Sequence, residues 1–177
     1  MGKKFNQSAL KRAIVSAIAF GSAILGTHIS AEKANSIMNV SVFIKHSCSM
    51  NTTSMAFGTY DGFGANASTA LKATATVIST CTSGAEALIT MNAGASSISG
   101  SADAPVRRMS AGEGEYLVYQ VYSDVSRNTV WGNTVPTGVA LTGTGVPQSL
   151  TVYGSISSAQ IVPEGDYSDQ IYVTITY

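Results

Sequence analysis

Few side chains in this sequence have the types and spacing that catalysis requires. A Ser-His-Asp hydrolase needs a histidine beside its nucleophile, but His46 is the one histidine outside the N-terminal segment, and no G-x-S-x-G motif occurs. The closest carboxylate couples, Glu113 with Glu115 and Asp166 with Asp169, lie in or beside glycine-containing turns, where acidic residues commonly accept turn hydrogen bonds. The sequence therefore predicts no enzyme, and it predicts His46 as an ordinary surface residue.

Sulfur chemistry is limited to the two cysteines, Cys48 and Cys81. If they are joined to each other, a lone histidine does not supply the three or four ligands of a zinc site, and their spacing is not C-x-x-C. In an exported protein, an even pair of this kind predicts one structural disulfide, with free buried thiols as the alternative. No metal and no other cofactor is predicted.

Trp131, the only tryptophan, has two interpretations. With Tyr122 or Tyr153 it would form a sugar-stacking surface, as in a carbohydrate-binding module, whereas a lone tryptophan in a β-rich chain more often packs in the core. The pair Arg107 and Arg108 falls in a predicted long loop.

The charged residues exclude one class of partner and indicate export. The chain carries 10 basic and 10 acidic side chains, only 11% of its residues, so a nucleic-acid binder with a basic patch is not expected. Residues 1–12 are polar and basic, residues 13–25 are apolar, and a small residue, Ala31, precedes Glu32. This arrangement predicts a secretory signal peptide over residues 1–31, since the apolar run is shorter than the roughly 20 residues of a membrane span. Stable membrane insertion is therefore not predicted.

The exported chain is predicted to be an all-β domain. Segments rich in Val, Ile, Thr and Tyr alternate with a period of two between clusters of Gly, Ser, Asn and Asp, which indicates a sandwich. The predicted strands are 37–45, 73–81, 87–92, 116–122, 137–141, 149–156 and 170–177, with a short piece possible at 57–60.

The strands at both termini have one apolar face. The first places Met38, Val40, Val42 and Ile44 on one side, and the last places Ile171, Val173, Ile175 and Tyr177 on one side. A long apolar strand at a chain terminus is an edge that promotes aggregation unless another strand pairs with it. Periodicity alone leaves open whether both strands lie inside the sandwich.

Five segments, in this order, resemble the spore coat protein U domain. The segments are residues 55–61 (MAFGTYD), 79–81 (STC), 119–124 (YQVYSD), 152–154 (VYG) and 165–177 (GDYSDQIYVTITY). The domain is shared by subunits of archaic (Csu-type) chaperone-usher pili. The resemblance implies an incomplete immunoglobulin-like sandwich that a strand from a neighbouring subunit or a chaperone completes.

The resemblance also implies roles for the two termini. Residues 32–47 would be a donor-strand arm and residues 48–177 the pilin domain, with Met38, Val40, Val42 and Ile44 as the plug. Ile171, Val173, Ile175 and Tyr177 would border the acceptor groove and pair with the chaperone. The implied partners are a periplasmic chaperone, an outer-membrane usher and neighbouring subunits, and the implied location is the periplasm in transit and then the cell surface. The implied function is a structural pilus subunit that supports adhesion and biofilm formation.

Two other functions stay open at this point. One is a coat or matrix protein of the same family that assembles without an usher. The other is a secreted monomeric carbohydrate-binding module that uses Trp131.

Overall fold

The computed structural model describes residues 31–98, 100–112 and 114–177. The predicted signal peptide, apart from its last residue, lies outside the described residues. In the described ranges, no helix is long and apolar enough to cross a membrane. Residues 31–47 contain neither helix nor strand, and their side chains are exposed.

The described chain from Cys48 onward folds into β-strands with a single turn of 3₁₀ helix at Val135–Thr137. The strands are β1 Cys48–Thr52, β2 Leu71–Cys81, β3 Glu86–Met91, β4 Arg107–Ser110, β5 Tyr116–Tyr122, β6 Val139–Thr142, β7 Gln148–Ile156 and β8 Val173–Thr176.

These strands form two antiparallel sheets. One has five strands in the order β1-β2-β7-β5-β4, and the other has three in the order β6-β3-β8. The alternating apolar residues of both sheets meet in one core that includes Val77 of β2, Ile89 of β3, Val121 of β5 and Val152 of β7. The predicted all-β sandwich is confirmed.

The strands with the clearest alternation match their predicted positions. β2, β3, β5 and β7 lie within one or two residues of the predicted segments. The last strand, β8, is shorter than predicted, and the segment 137–141 is divided between the 3₁₀ turn and β6. Residues 37–45 and 57–60 carry no strand.

Two strands were missed because their sequences lack an apolar alternation. β1 (CSMNT) and β4 (RRMS) are short and largely polar, and each is defined by its partner. β1 pairs with the end of β2 from Cys48↔Cys81 to Thr52↔Val77, and β4 pairs with β5. Pairing with a long neighbouring strand overrides the weak local preference.

The prediction that Arg107 and Arg108 lie in a long loop is wrong, because both belong to β4. Arg107 is on β4 and fully buried. Its guanidinium donates hydrogen bonds to the carbonyl oxygens of Met91, Asn92 and Trp131 at 2.7 to 3.0 Å. Burial lowers the pKa of Arg107 to about 10, because removal from water disfavours the charged form. The five donors of a guanidinium make burial tolerable only where several acceptors converge.

The two cysteines form the predicted disulfide. Cys48 opens β1, Cys81 closes β2, and the two are register partners with Cα atoms 4.1 Å apart. The bond therefore attaches the short edge strand β1 to the end of the neighbouring strand β2.

We expect the double substitution Cys48→Ser and Cys81→Ser to lower the free energy of unfolding by about 3 to 4 kcal/mol. The bond closes a loop with a sequence separation of 33, and in the chain-entropy model such a loop constrains the unfolded chain by that amount. Urea unfolding measures the change. A reducing agent should produce a similar loss in the wild type and none in the double variant; equal stability of the two oxidised proteins would contradict the prediction.

Candidate functional site: an open groove between the sheets

The last strand has an unpaired edge. Among the described residues, β3 is the only strand that pairs with β8, through the register Met91↔Val173 to Leu88↔Thr176. Val173 and Ile175 are half-buried against the core, whereas Thr174 and Thr176 are exposed. The apolar face of the terminal strand thus lies between the sheets, and the outer backbone groups are available to another strand.

A cleft of about 330 Å³ lies beside this strand. Its floor comes from Val77, Val121 and Val152 of the five-stranded sheet, and its lining also includes residues 52–55 and the pair Ile171 and Val173. The cleft therefore lies directly over core valines, which are themselves buried, and not over an exposed apolar surface.

A larger cleft of about 780 Å³ shares four lining residues with the first. The shared residues are Met55, Phe57, Met109 and Tyr167. The larger cleft extends along residues 55–63 and 160–167. We call the two clefts together the groove, a depression whose lining is partly apolar and partly polar.

One wall of the groove rests on a glycine of β7. A Cβ atom at Gly154 would overlap the sulfur of Met55 and would approach Cζ of Phe57 to 2.8 Å. The Phe57 ring in turn meets the Tyr119 ring edge to face, with centroids 6.3 Å apart. This wall therefore brings together three of the segments that carry the family resemblance, residues 55–61, 119–124 and 152–154.

Polar contacts hold the chain just before β8. The Tyr119 hydroxyl donates to Asp169 Oδ2 at 2.7 Å, and Asp169 Oδ1 accepts hydrogen bonds from the backbone N–H groups of Ala95 and Ser96. Burial raises the pKa of Tyr119, and the hydrogen bond to Asp169 raises it further. The phenol therefore stays protonated and remains a donor.

The predicted acceptor residues have different environments. Ile171 and Val173 line the groove. Ile175 is half-buried and packs against the core, and Tyr177 is exposed. The sequence prediction did not include the walls formed by Met55 and Phe57, although the segment 55–61 had already been singled out by the resemblance.

The predicted plug residues are exposed in the single chain. Met38, Val40 and Val42 are at least 84% accessible, and Ile44 is 66% accessible. Phe43, on the other side of the alternation, is 87% accessible. Several large apolar side chains at such exposure in one segment mark a candidate interaction surface.

The structure removes the sugar-stacking interpretation of Trp131. This side chain is 1% accessible, and its indole N–H donates to the carbonyl oxygen of Ile89. It is a core residue, so no sugar reaches its face. His46 is exposed, and of the paired carboxylates Asp169 is engaged by Tyr119, while Glu113 lies outside the described residues. Within the described ranges, no cluster of three His, Cys, Asp or Glu side chains has the arrangement of a metal site.

A family model for the spore coat protein U domain matches residues 34–174. The chain belongs to this family. It is also 34% identical to Protein U of Myxococcus xanthus over 178 residues, which cover 96% of this chain and 99% of that protein. The predicted family is therefore confirmed.

Among solved structures, the chain is similar to one chain of the CsuC–CsuE chaperone–tip adhesion subunit pre-assembly complex from the archaic chaperone-usher Csu pili of Acinetobacter baumannii. The TM-score is 0.52 at 17% identity, and the match covers 76% of this chain and 40% of the other. The chain described here thus spans less than half of the matched chain, and the two share a fold. The family model is described as a spore coat domain and the solved structure as a chaperone–subunit complex, and neither description names an enzyme.

We expect Gly154→Ala to lower the free energy of unfolding by about 1 to 3 kcal/mol. The added methyl group displaces Met55 and Phe57 from the wall, and overpacking of a buried site costs about that amount. Urea unfolding measures the loss. Gly165→Ala is the control, because Gly165 is exposed and its nearest neighbour would be the Ala111 Cβ at 3.3 Å; equal effects of the two substitutions would contradict the packing argument.

Proposed function

We propose that this protein is a structural subunit of a surface pilus, assembled by donor-strand exchange. In this proposal, residues 1–31 are removed on export, residues 32–47 are the donor arm, and residues 48–177 form the acceptor domain. The observation that carries the proposal is the presence in one chain of a groove that lies over core valines and an exposed apolar arm.

The arm has the stereochemistry of a complementing strand. In an extended chain, Met38, Val40, Val42 and Ile44 project to the same side, and the seven residues span about 23 Å. An added strand that pairs with the free edge of β8 receives main-chain hydrogen bonds, while its alternate side chains enter the groove. The exposed Phe43 projects to the opposite side and remains available for contacts outside the groove.

The size of the apolar contact is adequate for a stable joint. Burial of one aliphatic side chain contributes about 1.5 to 3 kcal/mol, so a plug of this size contributes on the order of 6 to 12 kcal/mol before the cost of ordering the arm. The joint therefore needs no covalent bond between subunits.

The same groove gives a physical reason for a periplasmic chaperone and an outer-membrane usher. An unpaired strand beside exposed apolar surface promotes aggregation, and a strand lent by a chaperone covers it until the next subunit arrives. The similar solved structure, described as a chaperone–subunit pre-assembly complex, supports these partners. In the proposal, the finished fibre supports adhesion and biofilm formation.

A second candidate function is a coat or matrix protein that assembles without an usher. Its support is the similarity to Protein U over nearly the full length of both chains. Deletion of the usher gene separates the candidates, because a pilus subunit then fails to reach the surface, whereas such a coat protein is still incorporated.

We expect Val40→Asp together with Val42→Asp to abolish self-association of the purified exported protein while leaving the domain folded. Both valines are exposed in the single chain, so the domain does not lose packing. In the joint each lost valine weakens association about 10- to 100-fold, and a buried carboxylate weakens it further. Sedimentation velocity measures the oligomers.

The matched control is Asn39→Asp together with Ser41→Asp. These substitutions add the same charge to the same exposed arm, but on the opposite face. Oligomers should persist in this control. A wild-type protein that stays a monomer at high concentration, or equal loss of oligomers in both double variants, would count against donor-strand exchange.

A further inference from the structure

The chain segment that leads into β8 is held by directed hydrogen bonds on the side of the three-stranded sheet. Asn92 follows β3 and continues its pairing: its backbone N–H donates to the Tyr172 carbonyl, and its side-chain Oδ1 accepts from the Tyr172 N–H at 2.9 Å. Its carbonyl oxygen accepts from Arg107. The buried guanidinium of Arg107 is thus connected through Asn92 to Tyr172, the residue just before β8.

A second connection reaches the same segment from β5. Asp169 accepts from the Tyr119 hydroxyl at 2.7 Å and from the Ala95 N–H at 2.8 Å. The Ala95 N–H also donates to the Gln170 carbonyl. Gly94 has a φ of +88°, and a Cβ atom there would overlap Asp169 Oδ2, so this loop approaches the carboxylate as closely as a backbone can.

The terminal strand needs such connections because its other supports are few. β8 has four residues, β3 as its strand neighbour, and an apolar face that borders a solvent-accessible groove. In a complete sandwich the missing neighbour would hold the other edge. Short edge strands with one neighbour open locally at low free-energy cost.

We propose that Asp169 and Asn92, tied to Tyr119 and Arg107, are positioning residues that keep the edge of β8 in place while the groove is empty. The inference rests on the proposed function in so far as an incoming donor strand is the occupant of the groove. A pre-ordered edge receives that strand without first ordering its own backbone, which accelerates association.

Hydrogen–deuterium exchange of the full exported chain tests the positioning role without a donor. We expect Tyr119→Phe to accelerate amide exchange of β8 about tenfold and to leave β2 and β7 unchanged. Tyr122→Phe is the matched control, because Tyr122 lies on the opposite face of β5 from Tyr119. In this variant, amide exchange of β8 should equal that of the wild type. Unchanged exchange in β8, or an equal increase in all strands, would overturn the proposal.

Asp169 provides a second, conservative pair of variants. Asp169→Asn keeps an oxygen acceptor for the Ala95 and Ser96 N–H groups and should leave exchange of β8 within about threefold of the wild type. Asp169→Ala removes all three acceptor contacts and should accelerate exchange of β8 at least as much as Tyr119→Phe. Equal exchange in Asp169→Ala and the wild type would exclude the carboxylate as a positioning group.

Association of a labelled peptide of residues 32–47 completes the test. It is measured by stopped-flow fluorescence on the Val40→Asp, Val42→Asp chain, whose own arm no longer competes. With Tyr119→Phe added, we expect about tenfold slower association. If the peptide does not bind the chain that retains Tyr119, donor-strand exchange is contradicted. The hydrogen–deuterium exchange of β8 would still decide the positioning role. Equal association rates with and without the hydroxyl would overturn the proposed effect on strand addition.

Discussion

The unpaired edge of β8 is the constraint on which the rest of the molecule depends. Val173 and Ile175 direct apolar side chains between the sheets, yet their strand has a hydrogen-bonded neighbour only on the β3 side in the described chain. Water satisfies the open backbone groups but leaves the groove exposed, whereas an added strand satisfies the backbone and covers the groove together. In the proposed function, the exposed apolar arm, residues 32–47, supplies such a strand.

Two kinds of force keep the domain intact with one strand missing. Apolar cover comes from Met55 and Phe57, which pack over Gly154 at one wall of the groove. Directed hydrogen bonds join Tyr119 to Asp169 across the sandwich and fix the chain before β8. Packing of this kind is not directional, whereas the hydrogen bonds fix the position of specific backbone and side-chain groups beside β8.

The sequence predicted the elements whose pattern is local. β2, β5 and β7 show a period of two over many residues, so their positions follow from side-chain alternation. β1 and β4 are short and polar, and they are strands because a longer strand pairs with them. Of the candidate site, Ile171 and Val173 line the smaller cleft and their acceptor role stays a prediction, whereas the wall formed by Met55 and Phe57 was not predicted.

By itself, the sequence determined the all-β class, the disulfide partners and the apolar faces of both termini, because each follows from residue types and their spacing. Only the tertiary structure decided that Arg107 is buried and that Trp131 belongs to the core. It also decided that Tyr119 holds Asp169. These outcomes depend on contacts between residues far apart in the chain, where several carbonyl groups or two sheets meet, and no local pattern records such meetings.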